Sequence, residues 1–243
     1  MTAARTVATS HRVLDQLRHD PRTLGLMLVL PTALMTLVAW IAPPAGFQQF
    51  GPALLGIFPL FVMFLVTSVT TLRERTSGTL ERLLAMPMAK ADFVFGYAVA
   101  FSLLAVAQSL VVAAVSFAFL GLEVAGSTSL VILVALVDAL AGTALGLFVS
   151  AFARTEFQAM QFMPVVVIPQ LLLCGLIVPT EQLPTALEWV SWLLPLTYGY
   201  HAMTLVVSSP TPDARFWLDV AVVAAMSVAL LFAGAATLRR RTP

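Results

Sequence analysis

Residues 73–90 read RERTSGTLERLLAMPMAK, and this charged stretch separates two long apolar runs of the chain. It holds six charged residues in eighteen positions, whereas only 10% of the 243 residues are charged and 60% are hydrophobic. A soluble domain carries about 25% charged residues, and a mean hydropathy of +0.95 is typical of an integral membrane protein. We therefore interpret residues 73–90 as a loop at the membrane surface and the runs beside it as transmembrane helices.

Six stretches are apolar and long enough to cross a bilayer as helices, for which about 20 residues are needed. They are 24–42, 52–72, 93–120, 129–153, 157–178 and 216–238. The first is longer than the apolar part of a secretory signal, which has about 7–15 residues, so we expect a retained first span. The predicted fold is an all-α, polytopic membrane protein with six transmembrane helices that form a single domain over residues 1–243.

The basic residues indicate how these spans are oriented. Twelve of the thirteen Lys and Arg residues fall on the side of the two termini, and Arg215 alone falls on the other side. Because basic residues accumulate in cytoplasmic loops, both termini are predicted to be cytoplasmic. A seventh span over 185–207 would move Arg239–Arg241 to the outside. We therefore expect short re-entrant or interfacial helices on the outer side, between the fifth and sixth spans.

The segment ahead of the first span has a different pattern. Residues 7–20 combine apolar and polar side chains at helical spacing, and Pro21 follows them. This pattern predicts an amphipathic helix on the inner membrane surface. Membrane lipid is therefore an expected partner of this helix and of the spans.

The sequence has no recognisable motif for catalysis or for metal binding. No Gly-Lys pair occurs, so a phosphate-binding P-loop is excluded, and neither H-E-x-x-H nor G-x-S-x-G is present. The three histidines fall on opposite sides of the predicted membrane, and Cys174 is the only cysteine. These observations disfavour an enzyme and a metal site, and the divided basic residues give no indication of nucleic-acid binding.

The charged loop admits two interpretations. A solvated loop whose basic residues set the topology is common in membrane proteins. Residues 72–86 also have helical periodicity, with leucines on one face, and Gly78 and Pro87 punctuate the segment. Topology does not explain the interleaved acids Glu74 and Glu81. We therefore favour a short helix whose charges recognise a cytoplasmic partner and whose leucines contact the membrane domain.

Two stretches resemble the type-2 ABC transporter permease family. LRERTSGTLERLLAMPMAKADFVFGY, at 72–97, is similar to that family's loop between the second and third spans. LLLCGLIVPTEQLPTALEWVSWLLPLTYGYHAM, at 171–203, is similar to its fifth span and outer helical hairpin, where Pro195, Thr197 and Tyr198 are the matching residues. The residues that the resemblance assigns to ATPase coupling are Arg73, Glu74, Arg75, Gly78, Thr79, Leu80, Glu81, Arg82, Leu83, Leu84 and Pro87.

This resemblance implies a division of labour between subunits. The chain would be the transmembrane subunit of an ABC exporter in a bacterial cytoplasmic membrane, paired with a second copy of itself or with a sister permease. Two cytoplasmic ATPase subunits would bind ATP and Mg, so this chain would bind no cofactor and would not itself be an enzyme. The 73–90 loop would contain the coupling helix. The largely uncharged spans favour a lipophilic or amphiphilic substrate that moves outward.

Asp138 lies deep in the fourth predicted span, where a bare charge costs about 2.5–3.5 kcal/mol. It is therefore expected to be protonated, or to face a wet translocation path or a polar neighbour. The possible path residues are Asp138 and, in the proline-containing fifth span, Met163, Pro164 and Pro169. The candidate hydrogen-bond partners for simple helix packing are Gln108, Ser109 and Thr143. An alternative function is a proton- or ion-coupled secondary transporter or channel that uses Asp138.

Two further features leave alternatives open. Gly142, Gly146 and Ser150 form a stripe of small residues on the fourth span, which indicates close helix packing either within the chain or across a dimer. His201 and Glu188 would be the reactive groups of an intramembrane enzyme, and a membrane scaffold without transport activity is a third interpretation.

Overall fold

A computed structural model describes residues 3–76 and 90–237 of the chain. Within these ranges it has nine α-helices and one short 3-10 turn, Thr180–Gln182. The helices are α1 (Ala3–Arg18), α2 (Pro21–Ile41), α3 (Pro44–Thr76), α4 (Lys90–Ala118), α5 (Thr128–Ser150), α6 (Glu156–Leu173), α7 (Thr185–Ser191), α8 (Pro195–Ser208) and α9 (Ala214–Thr237).

Six of these helices are long and apolar enough to cross a membrane, namely α2, α3, α4, α5, α6 and α9. This confirms the all-α fold with six predicted spans, and the described ranges contain no strand. The region 185–207 forms the short helices α7 and α8, and α8 has only 14 residues. Because about 20 residues are needed to span a bilayer, this region is not a seventh span.

The bounds of two spans differ from the apolar pattern. α3 begins at Pro44 rather than at residue 52, because Phe47 is buried and the Gln48 side chain bonds to the backbone that follows α4. α6 ends at Leu173 rather than at residue 178. Gly175 has a φ of +101°, a left-handed conformation that ends helices and favours glycine. Both differences come from local conformation or packing that hydropathy does not report.

The amphipathic helix predicted for residues 7–20 forms as α1, four residues earlier at its start. Val13 and Leu17 of α1 lie in one buried cluster with Phe93 and Tyr97 of α4. The protein itself therefore covers part of the apolar face of α1. The location of α1 at a membrane surface stays a prediction.

The centre of the bundle is the contact between α3 and α5. In their most apolar windows 61% and 67% of residues are buried, against 17% in α2, α6 and α9. A Cβ atom added at Gly146 would lie 2.5 Å from the Phe64 carbonyl oxygen, and one at Gly142 would overlap the Leu60 carbonyl. The stripe of small residues therefore lets α5 approach the α3 backbone within the chain.

Candidate functional site

The last turn of α3 carries the first charged residues of the loop, and we name Arg73, Glu74 and Arg75 the α3 exit. Successive residues of a helix point about 100° apart, because one turn takes about 3.6 residues. Their side chains consequently face different neighbours. Segment 77–89 lies outside the described residues, so a coupling helix there stays a prediction. The predicted coupling residues in that segment are Gly78, Thr79, Leu80, Glu81, Arg82, Leu83, Leu84 and Pro87.

Arg73 faces the start of α6. Its Nε donates to Glu156 Oε1 at 2.8 Å, and its Nη2 donates to Oε2 at 2.9 Å. Two parallel hydrogen bonds fix the orientation of a guanidinium on a carboxylate. Both side chains are about half exposed, at 57% and 44%, so we expect the pair to contribute at most about 1 kcal/mol.

Glu74 is buried and faces α1. Its Oε1 accepts hydrogen bonds from Arg12 Nη1 at 3.3 Å and from Gln16 Nε2 at 3.0 Å. Arg12 Nη2 also donates to Tyr97 Oη at 2.9 Å, and the guanidinium lies 5.7 Å from the centre of the Tyr97 ring. A polar network therefore joins α1, α3 and α4 at this end of the bundle.

Arg75 faces the end of α5. Its Nη1 donates a hydrogen bond to the backbone carbonyl of Ser150, the last residue of that helix. The last carbonyl groups of a helix lack intrahelical donors and carry partial negative charge. Arg75 satisfies one of them and thereby links α3 to α5.

Asp20 adds a further carboxylate at the same end. It caps the start of α2 by accepting hydrogen bonds from the Thr23 hydroxyl at 2.6 Å and from the Thr23 backbone N–H at 3.2 Å. These hydrogen bonds lower the pKa of Asp20, and the positive charge of Arg73 adds to the shift. The carboxylate form is therefore the one that the fold stabilises.

Through these contacts the α3 exit joins α1, α5 and α6, and Arg12 of α1 extends the network to α4. The charged side chains of the α3 exit contact other helices of the same chain. Their charges therefore serve contacts within the chain, and a role in recognising a partner stays a prediction. Sequence reasoning did not identify Arg12, Gln16 and Tyr97, which are distant from Glu74 along the chain. The basic residue Arg12, on the polar face of the predicted 7–20 helix, is the signal that could have indicated a partner for Glu74.

Asp138 is only 3% exposed and lies between two glycines of other helices. A Cβ atom at Gly56 of α3 would lie 2.5 Å from Asp138 Oδ2, and one at Gly199 of α8 would overlap the carboxyl group. Asp138 Oδ1 is buried and has no hydrogen-bond partner among the described residues. The carboxyl group therefore rests directly against the backbones of α3 and α8.

The hydrogen bonds expected for simple packing of Asp138 do not form. The Thr143 hydroxyl donates to the Ala139 carbonyl of its own helix at 3.0 Å. The side chains of Gln108 and Ser109 are buried, and in the described part of the chain they too have no hydrogen-bond partner. These candidates were wrong because none of the three side chains forms a hydrogen bond to Asp138, and residue spacing cannot show which side chains come within bonding distance.

The four predicted path residues are not gathered around one cavity. Asp138 lies inside the bundle, whereas Pro164 and Pro169 are exposed on α6. Met163 is half-buried and packs in a cluster that includes Phe64 of α3. Within one chain α6 is a peripheral helix, so its prolines face outward.

The sequence model of a protein family described as "ABC-2 type transporter" matches residues 5–207 of the chain. The chain belongs to this family. Probable multidrug ABC transporter permease YbhR of Escherichia coli (strain K12) is 29% identical over 160 residues, which are 65% of this chain and 44% of that protein. ABC transporter G family member 20 of Dictyostelium discoideum is 31% identical over 138 residues, 57% of this chain and 19% of that protein.

The matched part of this ABC-2 chain spans less than half the length of these curated relatives. Family membership confirms the resemblance carried by the 72–97 and 171–203 stretches. The protein is a multi-pass membrane component of an ABC transporter.

The three predicted hairpin residues of this ABC-2 permease shape the turn between α7 and α8. Pro195 is the first residue of α8, where its fixed φ favours helix initiation. The Thr197 hydroxyl donates to the Ser191 carbonyl at 2.6 Å. The Tyr198 ring packs edge-on against Trp192 at 5.2 Å between ring centres. These contacts fold α7 back onto the start of α8.

Another buried acidic residue of the permease, Asp219 in α9, was not identified from the sequence. His201 Nδ1 lies 2.6 Å from Asp219 Oδ2, and Arg215 Nε lies 3.2 Å from Oδ1. The Arg215 guanidinium also lies over the Trp192 ring, 5.6 Å from its centre. His201, which the enzyme interpretation paired with Glu188, instead joins α8 to α9. The four-residue spacing of Arg215 and Asp219 is the signal that could have revealed this pair.

Proposed function

We propose that this chain is the transmembrane subunit of an ATP-driven exporter in a bacterial cytoplasmic membrane, with both termini in the cytoplasm. A separate ATPase subunit would bind ATP and Mg and would dock on the 73–90 segment. The proposal is supported by the family of the chain, by the lack of a P-loop in its sequence and by the one-sided distribution of basic residues.

The α3 exit is the observation that carries the coupling proposal. The docking segment would follow α3 directly, and the end of α3 is bonded to α6, α1 and α5 through Arg73, Glu74 and Arg75. A push on the segment would therefore reach several helices at once. Packed helices move as rigid bodies between discrete arrangements, so this network would convert a local displacement into a shift of the bundle.

The working complex would contain two ATPase subunits and two permeases, either two copies of this chain or this chain and a sister chain. α6 is our candidate for a surface shared by the two permeases. Its exposed residues include Phe157, Met160, Pro164, Val165, Ile168, Pro169 and Leu172. A path between two chains would explain why Pro164 and Pro169 lie away from Asp138.

A lipophilic or amphiphilic substrate suits this surface, because apolar and adaptable side chains such as Met line it. The name of the YbhR relative, a probable multidrug permease, supports the same class. A charged substrate would instead need paired or solvated charges along its route.

A second candidate function is a proton- or ion-coupled secondary transporter that uses Asp138. Asp138 Oδ1 is buried and has no hydrogen-bond partner among the described residues, and this favours a functional role for Asp138. The two functions differ in what drives transport, so they predict different results in vesicles. Transport by the reconstituted chain alone, without ATP or an ATPase, would support the secondary transporter.

Purification of the chain from its native membranes tests the proposed exporter. We expect an ATPase with a P-loop to co-purify, and we expect Glu81→Arg to reduce its recovery because the substitution reverses a charge in the docking segment. Glu123→Arg is the matched control. It makes the same charge change at an exposed site in the α4–α5 connection, at the opposite end of both helices from the α3 exit.

A variant with the order of residues 77–89 scrambled and the charges kept distinguishes a docking helix from a loop that only sets the membrane topology. Loss of the ATPase in this variant would support a docking helix. Full recovery of the ATPase would contradict it and would favour the loop whose basic residues only set the topology.

A further inference from the structure

Asp138 differs from an ordinary buried acid, because no oppositely charged side chain among the described residues pairs with it. α5 has no other ionisable residue, and α3 has none between Pro44 and Leu72. The titratable and charged groups on the other helices that pack on α5 are Tyr198, Tyr200 and His201 on α8, Glu156 and Cys174 at the two ends of α6, Arg73, Glu74 and Arg75 at the end of α3, Lys90, Asp92 and Tyr97 on α4, and Arg215 and Asp219 on α9. His201 is engaged by Asp219 of α9. The Cys174 thiol donates to the Leu171 carbonyl.

The two glycines restrict what can bind at Asp138. The carboxyl oxygens lie so close to Gly56 and Gly199 that a methyl group at either position would have to displace the Asp138 side chain. A metal ion would need several oxygen or nitrogen ligands, and the described residues contain no cluster of three or more His, Cys, Asp or Glu that could hold one. A proton is the ligand that needs no additional space.

We propose that Asp138 is a proton-binding site that links protonation to the position of the α7–α8 hairpin. A carboxylate charge away from water costs far more free energy than a neutral carboxyl group. With α8 packed on α5 as in the structure, Asp138 therefore holds a proton. When α8 moves away, water reaches the group and the O–H bond breaks, releasing H⁺ to water and leaving the carboxylate. No other bond changes in this step.

The direction of the pH dependence follows from this release. One proton leaves when the hairpin moves away, so low pH favours the packed hairpin and high pH favours the displaced one. The ratio of displaced to packed protein rises by up to about tenfold per pH unit for one linked proton.

Cys174 is a native reporter of the hairpin position. It is the only cysteine of the chain, is buried, and lies in one cluster with Leu196 of α8. A small maleimide should react with it only when α8 moves away. Gly199→Ala tests whether Cys174 reports the hairpin position. The added Cβ overlaps the Asp138 carboxyl group, so we expect α8 to move away and Cys174 to react at every pH.

The test measures maleimide labelling rates of the purified full-length chain across a pH series, for the wild type and for Asp138→Asn. Both proteins carry the same thiol, so the ratio of their rates removes most of the thiol's own dependence on pH. A charge on Asp138 disfavours the Cys174 thiolate, so its direct effect would lower the wild-type rate and oppose the expected rise. We expect the ratio of wild type to Asp138→Asn to rise with pH, by up to about tenfold per pH unit. A ratio that stays constant across the series overturns the proposal.

Asp138→Ala provides a second variant without a carboxyl group, in case the Asn variant does not fold. Infrared spectra give an independent readout in the wild type. A carbonyl band of a protonated carboxyl group should persist above the pH at which exposed carboxyl groups ionise, and should be missing in the variant. Its absence from the wild type also overturns the proposal. The assay contains no ATPase and no substrate, so a negative result leaves the proposed exporter untouched.

Discussion

The α3 exit and the Asp138 site hold buried carboxyl groups in opposite surroundings. Glu74 accepts hydrogen bonds from Arg12 and Gln16, which lie on another helix. Asp138 is also buried, yet its Oδ1 has no partner in the described residues and its carboxyl group lies against Gly56 and Gly199. At the first site side chains hold helices together, whereas at the second the helix backbones lie close enough to enclose a carboxyl group. We therefore expect the first site to transmit force and the second to respond to protonation.

The largest effect is expected where helix backbones touch, one turn from Asp138. Gly142→Ala places a Cβ against the Leu60 carbonyl, which is backbone and cannot move aside by a rotamer change. We expect a loss of stability at the upper end of about 1–3 kcal/mol, measured by thermal unfolding of the purified protein. Gly25→Ala is the matched control, because nothing lies within 4 Å of the added atom. Equal stability of the two variants would contradict the close contact of α3 and α5.

A smaller effect is expected from Glu74→Ala, which removes the acceptor shared by Arg12 and Gln16. Donors left unpaired at a partly buried site should cost about 2 kcal/mol. Hydrogen exchange of α1 should become faster, because α1 loses its bonds to α3. Glu74→Gln keeps one acceptor oxygen and should show an intermediate rate. Unchanged exchange in Glu74→Ala would show that this network does not hold α1.

Asp20→Ala tests a carboxylate that is stabilised locally rather than by another helix. Loss of this helix cap should cost about 1 kcal/mol. Because hydrogen bonds from Thr23 lower the pKa of Asp20, its contribution is complete above the ordinary aspartate range and is lost as the pH falls through the lowered value. Asp20→Asn should keep the cap and lose that acid-dependent part. A difference between wild type and Asp20→Asn that does not change on acidification would contradict this assignment.

The smallest effect is expected for the exposed pair of Arg73 and Glu156. A double-mutant cycle with Arg73→Ala and Glu156→Ala should give a coupling free energy of about 0.2–1 kcal/mol, reduced by added salt. The charge-swapped double variant, Arg73→Glu with Glu156→Arg, should recover part of the coupling. A coupling free energy near zero would mean that α6 is held to α3 by apolar packing alone.

Much of the architecture could be predicted from composition and periodicity. The six spans follow from the length of apolar runs, and the hairpin at 185–207 follows from the argument that a seventh span would reverse the positive-inside arrangement. Helix bounds were less predictable, because Gln48 extends α3 by bonding across the bundle and Gly175 ends α6 by its conformation. Neither property contributes to hydropathy.

The candidate site divides along a similar line. Arg73, Glu74 and Arg75 were identified from a motif, but their partners lie in segments far away along the chain. Long-range contacts depend on how helices rotate about their axes, which periodicity leaves open for helices that are apolar on all sides. The same reason explains why the contact of Asp219 with His201 was overlooked and why Asp138 was assigned the wrong hydrogen-bond partners.

The amino-acid sequence by itself determined the class of the protein, its number of spans and the family to which it belongs. Transfer of apolar side chains out of water depends on composition and length, and both are local properties of the chain. The tertiary structure determines which helices meet, that Glu74 binds α1, and that Gly56 and Gly199 enclose Asp138. These contacts depend on close packing between distant segments, where a displacement of one methyl group decides whether two backbones fit together.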